Sequence, residues 1–421
     1  MKNVLVFPCG SEIAFEIYRS LQHSKHFRLI GANSIADHGK FVYEDYVADV
    51  PFITDVNFIP TMKHIVKEYN IDYIYPSMDS AISLLKENED ALGCYVISSP
   101  KETTRICSSK KKTYECLYNI VRTPQIYRQD DNLQYPVFCK PDIGYGARGA
   151  NIINNYAMLS EQMNGYPNSL IMEYLPGNEY TIDCFTNKNG TLLFCGARTR
   201  NRISNGISVN TATVGKDETI YKKVKRINET LRFRGAWFVQ FKQNDAGELV
   251  LLEIASRLGG SSALYRARGI NFAQLSLFDA MGVDVSIIDN GFYVEMDRAL
   301  DNCFKMDIDY DEVFIDYDDT IILDKSIYNL DAVKFLYYCK NKKIKLTLLT
   351  RHDGNLEEEL NQFHLINLFD RVIQIGQQDC KVKYIDNKNS IFIDDSFEER
   401  RHVIEQRHIP VFSIDMIGCL M

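Results

Sequence analysis

The stretch VFIDYDDTIIL, residues 313–323, runs a hydrophobic segment into Asp316, Asp318 and Asp319, with Thr320 behind them. A buried strand that delivers acidic side chains to the edge of a parallel sheet has this form. A second stretch, PVFCKPDIGYGARGANII, puts Lys140 on a strand ahead of a loop holding Gly144, Gly146 and Gly149. Glycines at this density let backbone N–H groups approach phosphate oxygens, and the lysine adds a fixed positive charge. A plain glycine-rich hairpin is the structural alternative, and Walker A chemistry is excluded because no GK[ST] opens a helix. In WFVQFKQNDAGELVLLEIASRLGG, Gln240 and Glu253 fall on two strands joined by an Asp-Ala-Gly turn, so both can face one cation. Arg257 follows Glu253 by four residues. ARTRNRIS sets Arg198, Arg200 and Arg202 at alternate positions, one face of a strand, which needs no special role if that face meets solvent.

The elements that must carry these groups begin with NVLVF, the turn PCGS and the amphipathic EIAFEIYRSL, followed by RLIGA. Then come the helical TMKHIVKEYN, the strand DYIYPS and the helical DSAISLLKENEDAL. This rhythm predicts a parallel sheet with crossover helices. The PCGS turn lacks the spaced glycines of a dinucleotide fingerprint and reads as a structural turn. Longer β-type runs and glycine turns mark a second block, and the acidic segment DRALDNCFKMDIDYDE leads into a third. The expected boundaries are 1–104, 105–305 and 306–421.

Four segments in series carry a resemblance: SSKKKTYECLYNIVRTP, the Lys140 strand with its loop, LIMEYLPGNEYTIDCF, and the Gln240–Glu253 hairpin. In order and spacing, residues 1–300 resemble the ATP-grasp superfamily, in its carbamoyl-phosphate-synthase-like, carboxylate–amine ligase branch. The resemblance implies a pre-grasp parallel-sheet domain and an α+β grasp domain, with ATP and Mg²⁺ as cofactors. It implies that Lys110 and Lys140 contact ATP phosphates and that the loop Gly144–Gly146–Gly149 closes over them. Glu173 would begin the segment beside adenine, and Glu179 would hold the ribose. Glu253, with Gln240, would hold Mg²⁺; Arg257 would steady the transferred phosphoryl group; Arg198, Arg200 and Arg202 would clamp a substrate carboxylate. One departure stands out: members commonly have Asn two residues after the metal-binding Glu, and this chain has Ala255.

Residues 306–421 resemble the haloacid dehalogenase (HAD) phosphatases. VFIDYDDTIIL matches a strand ending in DxDxT, IKLTLLTRH ends a strand at Thr350, Lys381 opens KVKYI, and SIFIDDSFEERR ends another strand at Asp394 and Asp395. The resemblance implies that Asp316 attacks phosphorus and Asp318 is the general acid and base. Thr350 and Lys381 (or Lys383) would meet the phosphate, and Asp316, Asp318 and Asp394 or Asp395 would hold Mg²⁺. The intervals from Asp316 to Thr350 and from Thr350 to Lys381 leave no room for a cap, so a capless Rossmann-like domain is expected.

Hydrophobic residues at 45% and charged residues at 25% are ordinary for a soluble globular chain. A net charge of −8 lacks the basic excess of a nucleic-acid binder, and no apolar run reaches bilayer length. Eleven cysteines without a CxxC pair, several inside strand-like runs such as Cys139, Cys184 and Cys195, suit a reducing cytoplasm. The expected protein is thus an α/β bifunctional enzyme: an acyl-phosphate ligase joining a small carboxylate to an amine, fused to a phosphatase for a related phosphorylated metabolite. No nucleic-acid or membrane partner is expected, and a homo-oligomer is compatible with the reading. The alternative is a nucleotide-binding sensor or scaffold that controls the phosphatase.

Overall fold

In the first strand, Lys2–Phe7, the run VLVF is wholly buried. A strand in the middle of a parallel sheet with helices on both faces reads as such a continuous apolar run. The computed structural model describes the whole chain apart from residues 145–147, 205, 300–303 and 305. Residues 1–301 and 302–421 form two compact units.

The N-terminal sheet is parallel throughout, in the order Asp45–Val47, Phe27–Ala32, Lys2–Phe7, Tyr73–Pro76, Tyr95–Val96. Chain order reverses between Lys2–Phe7 and Tyr73–Pro76, and the crevice beyond the carboxyl ends at such a switch point is where open α/β sheets bind ligands. Two turns meet there. Ser11 caps the helix Glu12–Leu21 by accepting from the Ala14 N–H, and its hydroxyl donates to Ser77 Oγ at 2.8 Å. The predicted helix 79–92 breaks at Asn88 into Asp79–Glu87 and Glu89–Leu92.

The rest of the first unit is antiparallel. One sheet runs Ile126–Tyr127, Ser169–Glu173, Val137–Pro141, Asn151–Ile153; a second runs Leu192–Thr199, Glu179–Thr186, Gly235–Gln243, Leu249–Ala255. The helix Glu218–Leu231 buries Ile220, Val224, Ile227 and Leu231, one stripe at helical spacing, in the same core as Ile182, Trp237 and Val239 of the second sheet. Each such side chain contributes about 1.5–3 kcal/mol of burial free energy. A small sheet of Arg202–Ser204, Ile207–Ala212 and Glu295–Asp297 completes the unit.

The second unit is again doubly wound and parallel, in the order Arg371–Gln374, Lys345–Thr350, Glu312–Ile315, Ser390–Ile393, Val411–Phe412. Asp316 and Asp394 each follow one of the two strands at its switch point. Between Asp316 and Thr350 lie a two-stranded hairpin, 322–328, and the helix Leu330–Lys342; neither interval around Thr350 holds a cap.

Candidate active sites

A cavity of about 670 Å³ in the first unit is lined by both antiparallel sheets and by the two turns at the parallel sheet's switch point. Lys140 stands on the strand Val137–Pro141 and Lys110 opens the helix Lys110–Leu117. Lys140 Nζ donates to the Leu252 carbonyl at 2.9 Å, and Lys110 Nζ to the Asp142 carbonyl at 3.3 Å. Neither ammonium has a carboxylate within ion-pairing distance among the described residues. Burial pulls both pKa values below the ordinary lysine range, with Glu253 opposing that pull. Two largely buried ammonium groups without a direct ion-pair partner face one cavity, an arrangement whose chemistry suits an anionic ligand.

Glu253 and Gln240 are direct partners across neighbouring strands, and both line the cavity. The hairpin therefore delivers the pair to one place, as its spacing predicts. Among the described residues no third carboxylate, histidine or cysteine joins Glu253 in a metal-sized group. Ala255 is buried at the position where the resemblance expects Asn. One carboxylate and one amide oxygen suit Mg²⁺ whose remaining ligands come from nucleotide phosphates and water.

Arg257 also lines the cavity, held by a bidentate ion pair: Nε and Nη2 donate to Asp79 at 2.7 and 2.8 Å. Burial lowers its pKa, and Asp79 more than compensates, leaving it raised. Glu173 lines the cavity as well, but its carboxylate is engaged by Arg122 at 2.9 Å and by the Gln125 N–H at 3.0 Å. Gly144 lines the cavity; Gly149 does not, and its φ of +69° with Tyr166 packed where a Cβ would stand requires glycine. Gly146 lies outside the described residues.

The three arginines do not share one strand face. The strand Leu192–Thr199 ends before Arg200, and a new one begins at Arg202. Arg198 is buried against Asp183 at 2.6 Å, with Nη1 left without a hydrogen-bond partner, and it lines the cavity. Arg200 lies 2.7 Å from Glu179, although Nε is not aimed at it as a hydrogen bond, and donates to the Gly206 carbonyl. That ion pair occupies the carboxylate expected to hold the ribose. Arg202 is exposed, bound to Asp297 and absent from the cavity wall, so of the three arginines Arg198 and Arg200 reach the cavity.

In the second unit, oxygens of Asp316, Asp394 and Asp395 lie within 4.8 Å of one another. Lys381 Nζ bridges Asp316 at 2.6 Å and Asp394 at 2.7 Å. Burial raises the Asp316 pKa against the pull of Lys381, and burial with the Asp316 charge pushes Asp394 up to about 7. Three carboxylates crowded this way fit a hard divalent cation, which relieves their repulsion and takes oxygen ligands. Thr350 is buried at the end of the central strand's neighbour, and its hydroxyl stands close enough to the Asp316 carboxylate to help hold that pKa down. Lys383 is exposed and paired with Asp379, so of the two lysines it is Lys381 that stands among these carboxylates.

Asp318 departs from expectation. It is not in the carboxylate group; instead its carboxylate meets His352 Nδ1 at 2.9 Å. His352 is buried, two residues after Thr350, and its other nitrogen lies 3.3 Å from Glu359. Neither His352 nor Asp79 was foreseen. A lone Asp at a helix start ordinarily reads as a helix-terminus residue, and no local spacing ties it to an arginine 178 positions on.

A family model described as "ATP-grasp in the biosynthetic pathway with Ter operon" matches residues 166–296. Among solved structures, the chain is similar to an L-amino acid ligase from Bacillus licheniformis (19% identity, TM-score 0.56, covering 67% of this chain and 74% of that one). It is similar to N5-carboxyaminoimidazole synthetase from Staphylococcus aureus complexed with ADP (16%, TM-score 0.58, 69% and 80%). It is also similar to the biotin carboxylase domain dimer of Hydrogenobacter thermophilus 2-oxoglutarate carboxylase with MgADP and bicarbonate (17%, TM-score 0.59, 69% and 73%). No curated protein gives a significant sequence match. The chain shares its fold with these structures over about two thirds of its length, and the ATP-grasp family model matches within that part. No helix among the described residues is long and apolar enough to cross a membrane.

Proposed function

We propose that residues 1–301 form an ATP-dependent carboxylate–amine ligase. The observation that carries this reading is the pair of buried lysines, Lys110 and Lys140, facing a cavity in which Glu253 and Gln240 stand as cross-strand partners. The lysines hold the polyphosphate, and Glu253 with Gln240 fixes Mg²⁺ through the nucleotide. When bound, the ion neutralises phosphate charge and aligns the γ-phosphoryl group. A carboxylate oxygen of the substrate attacks the γ-phosphorus as ADP leaves, giving an acyl-phosphate. An amine then attacks the acyl carbon, releasing phosphate, and loses its proton. Arg257 faces the transferred group, and Arg198 and Arg200 orient the acid. The substrates in this reading are small molecules, as for the named structural neighbours. The test is ADP release by the purified protein across a panel of acids and amines, expected to require both and to fail in Lys110→Met.

Ala255 and the single carboxylate beside Gln240 favour a second reading, in which the grasp region binds nucleotide without turnover and controls the other unit. Tight ATP binding with no ADP release from any acid and amine would select it.

For residues 302–421 we propose a Mg²⁺-dependent phosphatase. The supporting observation is Lys381 bridging Asp316 and Asp394 beside Asp395, with the buried Thr350 next to Asp316. Asp316, Asp394 and Asp395 would hold the ion, which supplies charge neutralisation at the phosphate. Asp316 attacks phosphorus to form an aspartyl-phosphate, Asp318 protonates the leaving oxygen, and Asp318 then takes a proton from the hydrolytic water. Phosphate release from a panel of phosphomonoesters, abolished in Asp316→Asn, tests it.

A further inference from the structure

We infer that Asp79 is a positioning residue for Arg257, an inference that rests on the ligase reading above. Arg257 sits just after the strand Leu249–Ala255, on irregular backbone that does not itself fix a long side chain. Three contacts fix it instead. Asp79 accepts from Nε at 2.7 Å and Nη2 at 2.8 Å, Nη1 donates to the Leu258 carbonyl at 3.2 Å, and the guanidinium lies 5.3 Å from the centre of the Phe238 ring. A carboxylate taken by two parallel hydrogen bonds sets the guanidinium plane as well as its position. One N–H on each terminal nitrogen remains for a ligand, and both residues line the cavity that holds Lys110 and Lys140.

Asp79 is the first residue of the helix Asp79–Glu87, in the turn that follows the parallel-sheet strand Tyr73–Pro76. The pair thus ties the switch point of the parallel sheet to the metal-side hairpin of the antiparallel one. Its net charge is zero, so its contribution lies in orientation rather than in attracting nucleotide. Displacing a group that stabilises the transferred phosphoryl slows chemistry without loosening ground-state binding.

The test compares Asp79→Asn, Asp79→Ala, Asp79→Glu, Arg257→Ala and the Asp79→Ala/Arg257→Ala double variant, with ADP release followed on an active acid and amine pair. Asp79→Ala and Asp79→Asn should lower kcat on the order of a hundred-fold, the scale of a misplaced catalytic group. KM for ATP should change by less than about threefold, and Asp79→Glu should recover part of kcat. The double variant should be no slower than Arg257→Ala, because residues acting through one another are not additive. The inference is overturned if Asp79→Ala turns over as wild type, if the two losses multiply, or if Asp79→Asn loses its cooperative melt. In each of those cases an active wild type leaves the ligase reading standing. A wild type with no acid- and amine-dependent ADP release removes that reading, and the inference with it.

Discussion

Replacing Lys140 by methionine separates a ligand contact from a structural one. Lys140 is 8% exposed and donates to the Leu252 carbonyl at 2.9 Å, but no carboxylate pairs with it among the described residues. Burial pulls its pKa down, so the charged form is less stable in the fold than in the unfolded chain. Its removal relieves that cost, and methionine fills nearly the same volume. The Leu252 carbonyl keeps the Tyr114 hydroxyl at 2.6 Å. The melting temperature should therefore hold or rise. ATP affinity should fall, because a lost charge-assisted hydrogen bond to phosphate costs about 1.5–3 kcal/mol. At a factor of ten per about 1.4 kcal/mol, that is a roughly 10- to 150-fold weaker Kd. Titration calorimetry with ATP and Mg²⁺ in an Asp316→Asn background, beside scanning calorimetry, reads both quantities. An ATP affinity within about threefold of wild type, or a melt that falls along with affinity, would refute the reasoning.

Asp316→Asn should abolish phosphatase activity and leave ADP release unaffected, since an amide cannot replace the carboxylate nucleophile; phosphate and ADP assays on one preparation check it. Asp394 is pushed up to about 7, above its ordinary value, so the stability linked to its proton is complete below the carboxyl range and lost as pH rises through about 7. Melts of metal-free protein should therefore weaken progressively from about pH 4 to about pH 7 and level off above it, and Mg²⁺ should restore more stability at the upper end of that window. Arg198→Met strands Asp183 in the interior and should cost about 3–5 kcal/mol in denaturant unfolding, whereas Arg202→Ala, exposed on Asp297, should cost less than about 0.5 kcal/mol.

What the sequence made legible was what local spacing controls. The Gln240–Glu253 pairing follows from two strands and a short turn, and the convergence of Asp316 and Asp394 from two parallel strands ending at one switch point. Lys381 and Lys383 could not be separated by type or spacing; a single helical turn buries one between two aspartates and turns the other to solvent. The arginine series failed for a related reason. Alternation holds only while a strand continues, and the break after Thr199 sends Arg200 toward Glu179 and Arg202 toward Asp297. Asp79 with Arg257, Arg122 with Glu173, and His352 with Asp318 are partnerships between distant elements, and nothing local in either partner announces them.

The central claim is an acyl-phosphate made from ATP in the cavity of Lys110 and Lys140. Its most direct test uses the Asp316→Asn protein with ATP, Mg²⁺, amines and carboxylic acids labelled with heavy oxygen. The account predicts ADP release only with an acid present, and one labelled oxygen carried into each phosphate released on ligation. Phosphate that carries no label, or ADP formed equally well without any acid, would contradict it.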